Sequence, residues 1–240
     1  MRKIAFLSDP HLGHGNIMKY CCRPGLSSQQ YELIKLEKSS IDDVCSQEIP
    51  ESEKEKLIRD IKRKYFFNVD RKSIEEMDDY LIDGINNTVP KDGIIYCLGD
   101  FCMPGRNVDL ESTVKNYLSR INCKEIHLFF GNHDKRFIGK FFSSSSDLFH
   151  LRLNDDTFVL CHYALAIWNK SHHGAYHLYG HSHSGAETFL DSILPGRKSM
   201  DVGVDNANKL LGSYRPFLLE EVVSILKDRK TLVIDHHGAE

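Results

Sequence analysis

The sequence lacks the features that define several large classes of protein. Its seven cysteines include no CxxC pair, and an odd number of scattered thiols favours reduced cysteines over a disulfide framework. No apolar run approaches membrane-spanning length, and the apolar stretch near the start is too short for a signal peptide. A formal net charge of −3 provides no overall basic field for nucleic acid. We therefore expect a soluble cytoplasmic protein that does not bind membranes.

Internal repeats and low-complexity linkers are also missing, and 240 residues suit one domain with some elaboration. Short apolar runs alternate with amphipathic segments early in the chain, and the later part is richer in strands. This order predicts an α/β or mixed sandwich fold. Strands are predicted at 3–8, 93–98, 125–130, 157–161, 175–179, 200–204 and 231–235, and helices at 110–121, near 219–227 and from Ser73.

Histidine is abundant, with thirteen residues, and most of them fall in polar groups directly after apolar runs. Five such groups follow five predicted strands: Asp9-Pro10-His11, Gly99-Asp100, Gly131-Asn132-His133-Asp134, His162, and Gly180-His181-Ser182-His183. In a mainly parallel sheet these ends would meet at one edge. Carboxylate oxygens with imidazole nitrogens suit Mn²⁺, Fe or Zn²⁺. The donors outnumber the needs of one tetrahedral ion, whereas two ions roughly 3.5–4 Å apart would use them all.

Taken singly, most of these groups have a plainer interpretation. Asp9 and His11 could cap a loop, and Gly99-Asp100 is typical of a turn. His162 by itself does not indicate a site. Gly131–Asp134 is equally consistent with a turn and with a site. Their joint order, each after an apolar strand, favours a two-metal site.

The ordered motifs D-x-H, G-D, G-N-H-D, H and G-H-x-H resemble those of the calcineurin-like metallophosphoesterase superfamily. The segments DPHLGHGNI (9–17), HY…W…HHGAYHLYGHSH (162–183) and DVGVD (201–205) are similar to a bacterial and phage-type branch. The resemblance implies two mixed β-sheets packed as a sandwich flanked by helices in four layers. It implies one phosphoesterase domain over 1–240.

The resemblance also implies a set of site residues. One ion would bind Asp9, His11, Asp100 and His183, and a second would bind Asp100, Asn132, His162 and His181, with Asp100 as the bridge. His133 would contact the phosphate and protonate the leaving oxygen, with Asp134 orienting it. Mn²⁺ is the expected ion, with Fe, Zn²⁺ and Ni²⁺ as alternatives.

The implied reaction is metal-dependent hydrolysis of a phosphoester, in which a water bridging two divalent metal ions attacks phosphorus in line. We favour a phosphodiester of nucleotide or nucleic-acid origin as the substrate. A phosphomonoesterase is the alternative, and an inactive binding module of the same fold is a second one. Inactive modules should have lost donors or His133, and all are present. Asp100 is not followed by the Asp-Arg pair of phosphoprotein phosphatases, which argues against that activity.

Four further residues are weaker candidates for binding substrate. His14 and Asn16 belong to the first motif and could contact phosphate or support the metal ligands. Arg106 and Arg136 follow site motifs and could clamp a phosphate, although a surface salt bridge is the favoured interpretation. His177 lies inside a strand and is interpreted as a core histidine.

The first two motifs are separated by 91 positions, from Asp9 to Asp100, so residues 27–72 are interpreted as a helical insertion. Between Lys54 and Lys72 eight basic residues exceed three acidic ones, a local charge of +5. The favoured interpretation is an amphipathic helix pair with solvated charges. The alternative is a cap that attracts a polyanion. Apart from Tyr65-Phe66-Phe67, the segment lacks exposed aromatic residues interleaved with these charges, and this lack counts against single-strand binding.

Overall fold

A computed structural model describes residues 2–105 and 107–231. It divides the chain into two compact units: one comprises the residues up to Gly13 and those from Tyr80 onward, the other His14–Asp79. Arg106 and all but the first residue of the strand predicted at 231–235 lie outside the described residues. That the whole chain forms one phosphoesterase domain stays a prediction.

The first unit contains the β-sheets. The strands are β1 (Ile4–Leu7), β2 (Ile94–Cys97), β3 (Ile126–Phe129), β4 (Ser144–Ser146), β5 (Leu148–Leu153), β6 (Asp156–Cys161), β7 (Tyr176–Tyr179), β8 (Ser199–Asp201) and β9 (Phe217–Leu218). One sheet has the order β4-β3-β2-β1-β9 and the other β5-β6-β7-β8. β9 is antiparallel to β1 and β5 to β6, while the other pairs are parallel, so both sheets are mixed. The predicted two-sheet α/β sandwich is confirmed.

The two sheets pack face to face through a shared apolar core. Phe6 of β1 and Phe158 of β6 stack with ring centroids 5.7 Å apart, and both side chains are fully buried. Leu98, Leu178 and Met200 belong to the same cluster. Continuous apolar runs form these strands because each central strand is covered on both faces. The polar groups identified in the sequence therefore follow strands of two sheets rather than one.

The helices are α1 (Gly15–Cys21), α2 (Ser28–Cys45), α3 (Glu51–Lys64), α4 (Arg71–Thr88), α5 (Leu110–Arg120), α6 (Glu187–Ile193), α7 (Val204–Leu211) and α8 (Leu219–Leu226), with 3-10 turns at Arg136–Phe141 and Ser171–His173. The helix predicted from Ser73 begins two residues earlier, because the Asp70 carboxylate accepts the Ser73 amide at 2.9 Å and caps the first turn. The strand predicted at 200–204 ends at Asp201, because Gly203 already precedes α7. Within the residues described, no helix combines the length and apolar character that crossing a membrane requires.

The second unit is helical. Ser27 and Gln30 form a reciprocal capping box at the start of α2, with bonds of 2.8 and 3.2 Å. α2 packs against α3. On α3, Leu57, Ile58 and Ile61 are half-buried, as their shared helical face predicts.

His177 is a fully buried residue of β7. Its Nδ1 lies 2.9 Å from the carbonyl of Val159, and the Leu165 amide donates to its Nε2 at 3.1 Å. A neutral ring with the proton on Nδ1 satisfies both bonds, and the indole of Trp168 packs at 5.4 Å. Burial lowers the pKa of His177 from 6.5 to about 4. His177 is therefore a core residue that is held neutral.

This buried ring predicts a loss of stability in mild acid. Between pH 6.5 and about 4 the unfolded chain binds a proton at His177 that the folded chain excludes, so the free energy of unfolding falls as the pH falls. The slope from this group approaches about 1.4 kcal/mol per pH unit in that window. Urea unfolding at a series of pH values would measure it. His177→Gln, which keeps a donor and an acceptor, should have a shallower slope, and an unchanged slope would contradict the prediction.

Candidate metal centre

Two clusters of metal-ligand side chains lie in the first unit. One consists of Asp9, His11 and His183, the other of Asp100, His162 and His181. Within each cluster the candidate ligand atoms all lie within 4.8 Å of one another. Six of the seven metal ligands predicted from the sequence are thus brought into two groups of three.

Asp100 lies between the two groups. Its Oδ2 is 3.5 Å from His11 Nε2 in the first group and 3.5 Å from His162 Nε2 in the second. The seventh predicted ligand, Asn132, belongs to the second group, since its Oδ1 is 3.1 Å from His162 Nε2 and 2.9 Å from His181 Nδ1. One carboxylate is therefore placed to serve both groups.

The two central carboxylates are buried and ionised. Burial opposes the charge on Asp9, but His11, whose Nε2 lies 3.7 Å from Asp9 Oδ1, and the other nearby imidazoles outweigh it, so the pKa of Asp9 lies below the usual value. Burial likewise opposes the charge on Asp100, and the hydrogen bond with His162 keeps its pKa low. Buried anions that attract several imidazoles are the donor set expected of a divalent metal site.

Two histidines are oriented through their Nδ1 atoms. His162 Nδ1 lies 2.7 Å from the Leu98 carbonyl, and His183 Nδ1 lies 2.7 Å from the Asp205 carboxylate. Each bond fixes the ring and leaves Nε2 for the centre, an arrangement common around metal-bound histidines. Asp205 is not among the site residues predicted from the sequence. It is the last residue of the DVGVD motif, so that motif was the sequence signal that could have identified it.

Two further carboxylates hold the loops that carry the donors. Asp201 accepts from the Ser182 hydroxyl at 2.7 Å and from the amides of Ser184 and Gly203 at 3.0 and 2.6 Å. Burial, followed by the charge of Asp9, raises the pKa of Asp201 to about 6. Asp201 thus fixes the loop after β7.

Asp134 has the matching role on the other sheet. Its carboxylate accepts from the amides of Asp100, Phe101 and Gly131 at 2.7, 3.0 and 2.9 Å. Burial, with a contribution from Asp100, raises the pKa of Asp134 to about 6. These bonds tie the loops after β2 and β3 together, a role that differs from the predicted one of orienting His133.

The backbone at the donors is strained. Five of the seven predicted metal ligands have left-handed φ values, which side-chain-bearing residues seldom adopt: Asp9 (55°), His11 (48°), Asp100 (52°), His181 (69°) and His183 (47°). Such conformations cluster at functional sites, where the surrounding structure maintains them. Here the loops are pinned by bonds such as His181 N–H to Asp9 Oδ2 at 2.8 Å.

Gly131 is required for the close approach of Asp100, because a Cβ there would overlap the Asp100 carboxylate. We expect Gly131→Ala to displace that carboxylate and weaken Mn²⁺ binding about 10–100-fold, the range for disturbing a ligand's support. Calorimetric titration with Mn²⁺ would measure the change. Gly105→Ala is the matched control, since a Cβ at Gly105 meets nothing within 4 Å. Equal affinities for the two variants would argue against Asp100 as a ligand.

His133 stands next to the donors rather than among them. Its side chain is exposed, its ring lies 5.4 Å from that of His11, and its amide donates to Asp100 Oδ1 at 2.8 Å. A cavity of about 290 Å³ is lined by His133 and Asn132 together with Met103, Val108 and other residues. His133 is therefore placed to reach a group bound beside the centre.

The weaker candidates lie elsewhere or have other partners. His14 and Asn16 belong to the second unit. Arg136 pairs with Asp147 at 2.6 Å and lies 4.5 Å from the Phe130 ring, in keeping with the favoured salt bridge. Arg106 is outside the described residues.

Comparison with known proteins gives few relatives. No family model matches the chain. It is 27% identical to the uncharacterized protein MJ1445 of Methanocaldococcus jannaschii over 232 residues, which cover 97% of this chain and 96% of that protein. Its fold is similar to that of AQ665 from Aquifex aeolicus, a protein of unknown function, with a TM-score of 0.55, 15% identity, and coverage of 94% of this chain and 100% of that one. YfcE, a phosphoesterase from E. coli, aligns at a TM-score of 0.32 and 15% identity, over 75% of this chain and 70% of that one, an overlap too low to support a shared fold.

Proposed function

We propose that this protein is a metal-dependent phosphoester hydrolase of the calcineurin-like type, acting in the cytoplasm. The observation that carries the proposal is the position of Asp100, whose Oδ2 is 3.5 Å from one imidazole of each donor group. Two such groups joined by one carboxylate fit two divalent ions. Mn²⁺ is the proposed ion.

The negative charge of the donor residues favours the binding of cations. Asp9 and Asp100 are buried and ionised, and Asp205 lies behind His183. Without cations these carboxylates would repel a phosphate. When bound, the ions would offset that charge, polarise the phosphoryl group and lower the pKa of a bound water toward neutrality. Asp9, His11 and His183 would hold one ion, Asn132, His162 and His181 would hold the other, and Asp100 would serve both.

The chain's own contribution to the chemistry is His133. Because its amide is fixed to Asp100, its exposed ring stays beside the donor groups. It would donate a hydrogen bond to the phosphoryl oxygens and pass a proton to the departing alcohol oxygen. The neighbouring cavity, with Met103 and Val108 in its wall, would accommodate part of the ester's alcohol. A phosphodiester of nucleotide type fits such a cavity, and a phosphomonoester is the alternative substrate.

The test is hydrolysis of a chromogenic phosphomonoester and of its bis-ester by metal-stripped protein, re-supplied separately with Mn²⁺, Ni²⁺, Zn²⁺ and Mg²⁺. We expect bis-ester cleavage to return with Mn²⁺. Cleavage of the monoester alone would support a hydrolase whose substrate is a phosphomonoester instead of a phosphodiester. Two bound ions with no turnover of either ester would favour a binding module, and failure to bind any of the ions would overturn the metal centre.

A further inference from the structure

The second unit contains a pocket of its own. It has a volume of about 410 Å³ and is formed by the end of α1, one face of α2, the end of α3 and the segment that follows. This volume falls in the range of sites for small molecules. The lining residues are Asn16, Lys19, Tyr20, Ile34, Glu37, Lys38, Lys62, Tyr65, Phe66 and Phe67.

Aromatic rings form much of the wall, and two of them are largely exposed. Tyr20 is 67% exposed and Phe66 64%. Large aromatic side chains left in water at the mouth of a pocket supply flat apolar faces for a planar ligand. Tyr20 lies far from Phe66 in the sequence, so the fold adds a ring to the Tyr65–Phe67 cluster that sequence inspection could not place there.

Three lysines surround these rings. Lys19 Nζ donates to the Phe67 carbonyl at 3.1 Å and lies 5.1 Å from the centroid of the Phe66 ring. An ammonium has three donors, so two remain for a ligand. Lys38 and Lys62 are exposed lining residues, and Glu37 is the one acidic residue of the lining, which leaves a net charge of +2.

Several basic residues of this unit have an acidic partner on the same helix. Arg59 and Arg63 are each placed against an acid one turn earlier on α3, Glu55 at 3.7 Å and Asp60 at 3.5 Å. Over residues 2–105 and 107–231, Lys19, Lys38 and Lys62 take part in no such ion pair. Lys38 Nζ donates to Cys22 Sγ at 3.4 Å. Glu37 acts on Lys19 from beyond ion-pair distance, so no close acid among the described residues neutralises the three charges and they are available to an anion.

We propose that this pocket binds a nucleotide unit, with the base stacked on the exposed aromatic rings and the phosphate held by the lysines. Aromatic faces next to lysine ammonium groups match a planar base attached to an anion. A planar apolar ligand would make no use of the lysines, and a simple anion would make no use of the rings. Asn16 can donate and accept hydrogen bonds at the edge of the base. The unit would come from a free nucleotide or from a single strand, and in both cases it is recognised by the same chemistry.

The experiment is a binding titration of the full chain in EDTA, which prevents metal-dependent cleavage. The probes are adenosine monophosphate, followed by calorimetry, and a labelled ten-nucleotide oligodeoxyadenylate, followed by fluorescence anisotropy. An abasic strand of equal length and charge tests stacking. We expect the abasic strand to bind about fivefold or more weakly.

Two variants have matched controls. Phe66→Ala should weaken binding about fivefold or more, whereas Phe189→Ala, which removes a ring of equal 64% exposure outside the pocket, should not. Lys62→Ala should also weaken binding and reduce the slope of log K against log salt by about 0.7 for the strand. Lys56→Ala removes the same charge from the same helix outside the pocket lining.

If the wild-type protein binds the monophosphate and both pocket variants bind it more weakly, the site is supported and its ligand is a free nucleotide. If the protein binds only the strand, the site is supported and its ligand is single-stranded nucleic acid. Equal binding of the abasic strand, equal loss in Lys56→Ala and Lys62→Ala, or no binding of either probe would overturn the proposal. Because the titration is run without metal, its result does not depend on the proposed hydrolysis.

Discussion

Asp100→Asn should abolish both metal binding and hydrolysis. The substitution keeps the shape of the side chain and removes the charge that lies 3.5 Å from His11 and from His162. Disturbing a mere support of a ligand costs about 10–100-fold in affinity, so loss of a shared ligand should exceed about a hundredfold in affinity and in kcat/KM. Metal content by elemental analysis and rates on the bis-ester would measure the two effects.

Asp147→Asn is a suitable control, because it removes an exposed carboxylate that pairs with Arg136 in the same unit. It should keep its metal and its rate. If Asp100→Asn retained both ions and lost only turnover, Asp100 would have to act on the substrate instead of joining the two groups. If it retained full activity, the proposed centre would be wrong.

His133→Ala should separate chemistry from metal binding. The ring of His133 is exposed and lies 5.4 Å from that of His11, so its removal should leave the donor groups intact. Loss of a general acid costs about 10²–10⁴-fold. The loss should be largest for alkyl esters, whose alkoxides need a proton, and smallest for nitrophenyl esters, whose phenolates leave unaided. Rates across a series of leaving groups, with metal content measured in parallel, would test this.

His150→Ala removes another exposed imidazole of the same unit and should change neither quantity. An emptied metal site in His133→Ala would mean that His133 is itself a ligand. A loss of equal size for every leaving group would point to phosphate binding rather than proton transfer.

Much of the fold and of the candidate centre could be predicted from local sequence. β1, β2 and β3 lie within one residue of each predicted end, because central strands buried on both faces appear as unbroken apolar runs. The donors that follow these runs were predictable for the same reason. β4 and β9 were not, because three serines and a two-residue strand carry no periodic signal and depend on partners distant in the chain.

The supporting carboxylates show a second limit. Asp201 lies in the segment predicted as a strand, 200–204, and Asp205 directly follows that segment, whereas in the structure Asp201 ends β8 and Asp205 lies in the first turn of α7. Their roles come from contacts with Ser182 and His183, which are remote in sequence. Asp134 was placed in the site, yet only the fold shows that its oxygens are taken by backbone amides.

The left-handed backbone of five donors has an evolutionary consequence. Each such conformation costs about 1–3 kcal/mol in every folded molecule, working or not. A lineage that no longer needed the donors would gain by relieving that cost, and glycine and asparagine are the replacements that these turns accept most easily. Descendants that have lost the activity should therefore show glycine or asparagine at positions 9, 11, 100, 181 and 183 more often than in their other loops. The left-handed turns would then persist in proteins that no longer have the activity.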